Sequence, residues 1–245
     1  MFEPILLAVF SSLAALAGVA LAVLMPRRKS LGCLGIGFSC GVMVVLAAAS
    51  AFPEASSLIG LVPALAATAA GFAIVWFLDS RVPHTHFFCE LCGNREARAG
   101  VLVAAGLAIH DFPEGFALAA SFAANSAVGI AVAVGLVLHK IPEGFALGAP
   151  LALSRQKGLL WRIASFSSLV EPLGAVAGVA LFALVPALNP FMLAFAAGAM
   201  LFVALDELLP LAVKYGGAFE ALLGFLAGAL SYWMLSSWLV TALGG

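Results

Sequence analysis

The sequence predicts an all-α, polytopic membrane protein of eight transmembrane helices, and three observations carry that prediction. Of 245 residues, 64% are hydrophobic and 9% charged, with a mean hydropathy of +1.17, a balance that soluble domains of this length do not reach. Apolar stretches of the roughly 20 residues needed to cross a bilayer core recur along the whole chain. All but one of the basic residues fall in alternate connections between those stretches.

The first span covers about residues 5–25. The residues before it, Met1-Phe2-Glu3-Pro4, carry an acid and no base, whereas a secretory signal has positive charge there, so the span is read as retained. The second and third spans follow at about 32–52 and 59–78, the fourth and fifth at about 101–122 and 127–149, and the last three at about 163–185, 190–212 and 220–242. Pro53, Asn125, Pro150 and Asn189-Pro190 mark short connections. The chain reads as a single membrane domain over 1–245, with one longer loop at 80–100.

Arg27, Arg28, Lys29, Arg81, Arg95, Arg98, Arg155, Lys157, Arg162 and Lys214 all lie on one side of the eight spans. Lys and Arg accumulate in cytoplasmic loops, which places both termini outside and the protein in the cell's inner, plasma membrane. The eleventh basic residue, Lys140, falls inside a span. With a net charge of -1 and no long basic run, nothing indicates nucleic acid as a partner.

Six of the twelve acids, Asp111, Glu114, Glu143, Glu171, Asp206 and Glu207, also fall inside spans. Charge in hydrocarbon costs kilocalories per group, so such a cluster marks an ion or substrate pathway. Two near-copies of one hexapeptide organise it: His110-Asp111-Phe112-Pro113-Glu114-Gly115 and His139-Lys140-Ile141-Pro142-Glu143-Gly144. Each puts His and Glu four residues apart on one helix face. The fourth and fifth spans are antiparallel neighbours, and both pairs lie near mid-depth, so His110, Glu114, His139 and Glu143 converge. Imidazole and carboxylate together suit zinc, and tolerate iron, manganese or cadmium. Pro113 and Pro142 each remove a helix hydrogen bond beside the histidine, which is tolerated at depth where backbone lines a cavity. Glu171-Pro172 in the sixth span repeats the pattern of acid and proline, and Asp206-Glu207 lies toward the cytoplasmic end of the seventh.

The paired His-x-x-Pro-Glu-Gly helices, the Glu-Pro-Leu-Gly of span six, the Ala-Gly-Ala-Met-Leu-Phe and Asp-Glu-Leu-Leu-Pro of span seven and the Gly-Val-Met of span two together resemble the ZIP (Zrt-, Irt-like protein) family of divalent metal transporters. The resemblance implies a 3+2+3 inverted-repeat arrangement, passage of metal toward the cytoplasm, and alternating access by sliding of one helix group against the other. It implies that His110, Glu114, His139 and Glu143 bind a primary metal, both glutamates bridging to a second. Asp111 stands where the family commonly has Asn, and Glu171 where it has a second-metal ligand. Met43 matches a methionine that can approach the primary site, and reads equally as a core residue. Ser50 matches a polar residue on the outer path, and Asp206 and Glu207 an inner metal-handling pair. A homodimer is suggested by the resemblance alone.

Lys140 departs from the pattern, because many family members hold the second metal with Asn or Asp there. Four carboxylates and one ammonium leave the cluster at minus three, which one divalent ion brings to minus one. A single metal is therefore expected, with Lys140 standing in for the second ion and pairing with Asp111, Glu171 or Glu143; the alternative is a lysine kept neutral by burial. In the 80–100 loop, His84, His86, Cys89 and Cys92 form His-x-His and Cys-x-x-Cys, ligand types of a tetrahedral zinc site. Such a loop captures or senses metal, unless its His and Cys are incidental to a linker. Two other functions compete with transport. An intramembrane metal hydrolase uses His-Glu-x-x-His and keeps one coordination position open, unlike the Glu at i+4 here. A membrane metal sensor without flux differs only in transport. No phosphate-binding loop is present.

Overall fold

The computed structural model describes residues 2–24, 29–81, 111–152 and 157–243. His110 and the His84, His86, Cys89 and Cys92 cluster lie outside them. Among the described residues there is no strand. The helices are α1 (Glu3–Leu24), α2 (Lys29–Val45), α3 (Phe52–Ile59), α4 (Leu61–Arg81), α5 (111–124), α6 (Ser126–Ala152), α7 (Lys157–Leu184), α8 (Asn189–Phe202), α9 (Leu209–Gly216) and α10 (Ala218–Leu243). Seven apolar helical runs among these residues are long enough to cross a membrane, and α5 carries the described part of the remaining predicted span. The protein is a polytopic helical membrane protein.

Two of the predicted span ends are corrected. Pro53 does not end the second span, which runs on as apolar helix to Ile59, and Pro150 lies within α6. In the second span a π-helical segment, Leu46–Ala51, links α2 to α3. Its bonds reach back five residues, from the Phe52 N–H to the Ala47 carbonyl, so the helix crosses the position where Pro53 offers no donor. The seventh span repeats the device with the π-helix Val203–Leu208, followed by Pro210 in the first turn of α9. Each short helix ends at a glycine of positive φ, Gly60 at 84° and Gly217 at 119°, a conformation other residues avoid.

This repetition extends to the packing. A Cβ at Gly41 would overlap the carbonyl of Phe225 in α10, and one at Gly198 that of Thr68 in α4. Gly198 follows Gly41 by 157 positions, and Phe225 follows Thr68 by the same 157. The same shift carries the contact of Gly71 with Phe195 onto that of Gly228 with Phe38. Small residues let backbones touch where lipid gives helices no hydrophobic reason to associate. These contacts bind α2 to α10 and α4 to α8 as related pairs.

The remaining helices pair in the same manner. Gly144 abuts the Ala15 carbonyl of α1, and Gly115 abuts the Glu171 carbonyl of α7. The hexapeptide glycines thus anchor α6 to α1 and α5 to α7, with the ligand-bearing turns beside them. Helices α1, α5, α6 and α7 form one group and α2, α3, α4, α8, α9 and α10 the other, with α6 meeting α2 and α10 between them. Because the obstacle is backbone, Gly41→Leu and Gly198→Leu are each expected to cost at least the roughly 1–3 kcal/mol of an overpacked core. Thermal melts of the detergent-solubilised variants, falling alike for the two related positions, would check this.

Candidate metal centre

His139 is fully buried on α6 and held from behind. Its Nδ1 lies 2.9 Å from the carbonyl of Gly135, one turn back. A carbonyl only accepts, so Nδ1 carries the proton and donates, which leaves the Nε2 lone pair facing forward. Nε2 stands 3.3 Å from Glu114 Oε1 and 3.4 Å from Glu143 Oε2. Glu114, His139 and Glu143 offer ligand atoms that all lie within 4.8 Å of one another, and all three residues are buried. Three acceptors facing one another in a dry interior repel unless a cation or a proton lies between them.

Lys140, the next residue on α6, points into the adjoining half of the cluster. Its Nζ is 2.8 Å from Glu114 Oε2, 3.1 Å from Glu143 Oε1 and 3.9 Å from Glu171 Oε2, and it pairs with Asp111 Oδ1. The ammonium thus meets Glu114 as well as the three acids named from the sequence. Glu114 and Glu143 each turn one oxygen to His139 and the other to Lys140. Both glutamates bridge an imidazole-containing site and a fixed positive charge.

A family profile described as ZIP zinc transporter matches residues 91–236, more than half of the chain. A zinc transporter ZupT of Chlorobium phaeovibrioides is 36% identical over 93% of this chain and 94% of its own length. The ZupT proteins of Corynebacterium aurimucosum and Akkermansia muciniphila are 39% and 35% identical, over 79% and 80% of this chain and 80% and 82% of theirs. The chain belongs to the ZIP zinc transporter family.

Within this ZIP chain the other residues singled out from the sequence divide clearly. Asp111 and Glu171 gather round Lys140 rather than joining the three converging ligands. Met43 is fully buried in the apolar core. Asp206 and Glu207 lie on the π-helix Val203–Leu208, the first exposed and the second half-buried, and are not among the converging ligands.

Two serines had no assigned role in the sequence. Ser167 donates to Asp111 Oδ2 at 3.1 Å; it precedes Glu171 by four residues, so helical spacing alone could have put it on the site's face. Ser39 donates to the His139 carbonyl at 3.1 Å from the other helix group. No sequence signal points to that contact.

Proposed function

We propose that this chain carries zinc across the inner membrane toward the cytoplasm, one ion at a time, through a mid-depth site formed by His110, Glu114, His139 and Glu143. The observation that carries this reading is the convergence of Glu114, His139 and Glu143 inside membrane-spanning helices in a chain similar to ZupT zinc transporters. Mixed nitrogen and carboxylate ligands suit zinc and leave cadmium, iron and manganese as competitors. The direction is the one the family resemblance implies, and the basic loops support a topology with both termini outside.

Lys140 holds the second-metal position. Its ammonium meets four carboxylates, neutralising on a permanent basis what a second ion would neutralise on binding. Asp206 and Glu207 receive the ion on the cytoplasmic side, and the 80–100 loop, with His84, His86, Cys89 and Cys92, takes it up there.

The test is zinc influx into liposomes containing the purified protein, together with the number of ions bound per chain. Saturable uptake with one mid-depth ion per chain is expected, and competition by cadmium, iron and manganese ranks selectivity. Tight binding without delivery, in folded and correctly oriented protein, would favour a sensor instead.

A further inference from the structure

A cavity of about 470 Å³ opens between α3, the start of α6 and the end of α10, lined by Ser50, Glu54, Ser57, Ala131, Ser236 and Thr241 among others. Its lining sets hydroxyls and one carboxylate beside apolar groups such as Val128 and Trp233. Below this cavity α6 runs eight residues from Ala131 to His139, about 12 Å at 1.5 Å per residue. Tyr232 of α10 packs along the first part of this stretch, at Ala131 and Gly135. It is fully buried, its hydroxyl lies 3.1 Å from Ser50 Oγ, and it donates to the Ala131 carbonyl at 3.2 Å.

The ring seats on α6 where there is no side chain to oppose it. A Cβ at Gly135 would come within 2.6 Å of the Tyr232 ring and 2.7 Å of the Leu46 side chain. Gly135 is also the residue whose carbonyl holds His139 Nδ1. The socket therefore lies one turn from the ligand, and Tyr232 with Leu46 covers it. Ser50 and Tyr232 belong to one helix group and Ala131 and Gly135 to the other, so the Tyr232–Ala131 bond spans the boundary between them.

The internal repeat shows what is particular to this end. The shift of 157 positions that relates the glycine contacts carries Ser50 onto Glu207 and Val75 onto Tyr232. At the related place near the opposite end there is an isopropyl group and a carboxylate. Among the described residues, the hydroxyl-latched aromatic at position 232 therefore has no counterpart at its repeat-related position.

We infer that Tyr232 is the gate on the cavity side of the pathway, an aromatic plug that must leave Ala131 and Gly135 before a cation in the cavity reaches His139. This rests on the transport reading above and adds the residue that closes one side of the route. Glu54 and the surrounding hydroxyls would hold the waiting divalent cation.

The test uses a full-length background with Cys33, Cys40, Cys89 and Cys92 replaced by alanine, and single reporters Ser57→Cys in the cavity and Leu46→Cys beneath the ring. A charged, membrane-impermeant thiol reagent is applied without zinc from the side on which Ser57 lies. Ser57→Cys should label at one rate whatever stands at position 232. Leu46→Cys should label slowly beside Tyr232, about 30-fold faster with Tyr232→Phe, the factor two ordinary hydrogen bonds supply, and faster still with Tyr232→Ala. Tyr232→Phe keeps the ring, so the comparison survives if the alanine variant fails to fold. Unchanged Leu46→Cys labelling in the variants, with Ser57→Cys reactive throughout, would overturn the gate. Labelling needs no flux, so absent zinc uptake by the unmodified protein would sink the transport reading separately.

Discussion

His139→Ala is expected to reduce saturable zinc uptake by more than about 100-fold while leaving the protein folded. Loss of a partner standing behind a metal ligand typically costs 10–100-fold, and here the ligand itself is removed. His139 contributes the nitrogen between two carboxylates, at 3.3 and 3.4 Å, and its hydrogen bond to Gly135 presets the lone pair. Without it Glu114 and Glu143 face a void, and a site left with the proposed His110 as its one nitrogen ligand holds zinc less well and magnesium or calcium relatively better. Glu143→Gln should lose uptake to a similar extent, since it removes the single negative charge that this carboxylate shares between His139 and Lys140. Ser39→Ala, by contrast, removes one neutral hydrogen bond to the His139 backbone and should change uptake by no more than about tenfold. Flux assays at equal amounts of folded, reconstituted protein make the comparison. Uptake in His139→Ala above a tenth of the unmodified rate would remove this histidine from the pathway.

The helical membrane fold was legible because it depends on composition and on length, which lipid enforces span by span. The converging Glu114, His139 and Glu143 were legible for a related reason: i and i+4 share a helix face, and a short connection at Asn125 forces α5 and α6 together. The reading failed where the backbone departs from the α-helix. In the sequence Pro53 marks the end of a span, whereas a π-helical turn shifts the hydrogen bonding by one residue and continues past it. No residue type announces such a turn in advance. Contacts across the boundary between helix groups were equally hidden. Ser39 and His139 are 100 residues apart, and Tyr232 and Ala131 are 101, and neither pair shares a motif. Of the packed glycines, Gly135 lies at that boundary, against Tyr232 and Leu46, whereas Gly41 and Gly198 join helices within one group.

Lys140→Asn is expected to change both stability and metal count. Removing one partner of a buried ion pair costs about 3–5 kcal/mol, because the opposite charge is left without compensation. Here four carboxylates would lose their common cation, since Asp111, Glu114, Glu143 and Glu171 all face Nζ. At roughly 2–4 °C per kcal/mol for a chain of this size, the metal-free protein should melt on the order of 10 °C lower. The same four oxygens, now joined by the Asn carbonyl, form an oxygen-rich site next to the first ion, and a second divalent ion should enter it. Zinc should therefore stabilise Lys140→Asn more than it stabilises the unmodified protein, because binding supplies the charge that the lysine supplied. Ions counted per folded chain should rise from one to two. Two mid-depth ions in the unmodified protein, or an Asn variant that keeps both its melting temperature and a single ion, would show that the lysine does not hold the second-metal position. On this proposal the lysine occupies one potential ion site with a permanent charge, and its contacts with four carboxylates keep them gathered beside His139 before any ion arrives.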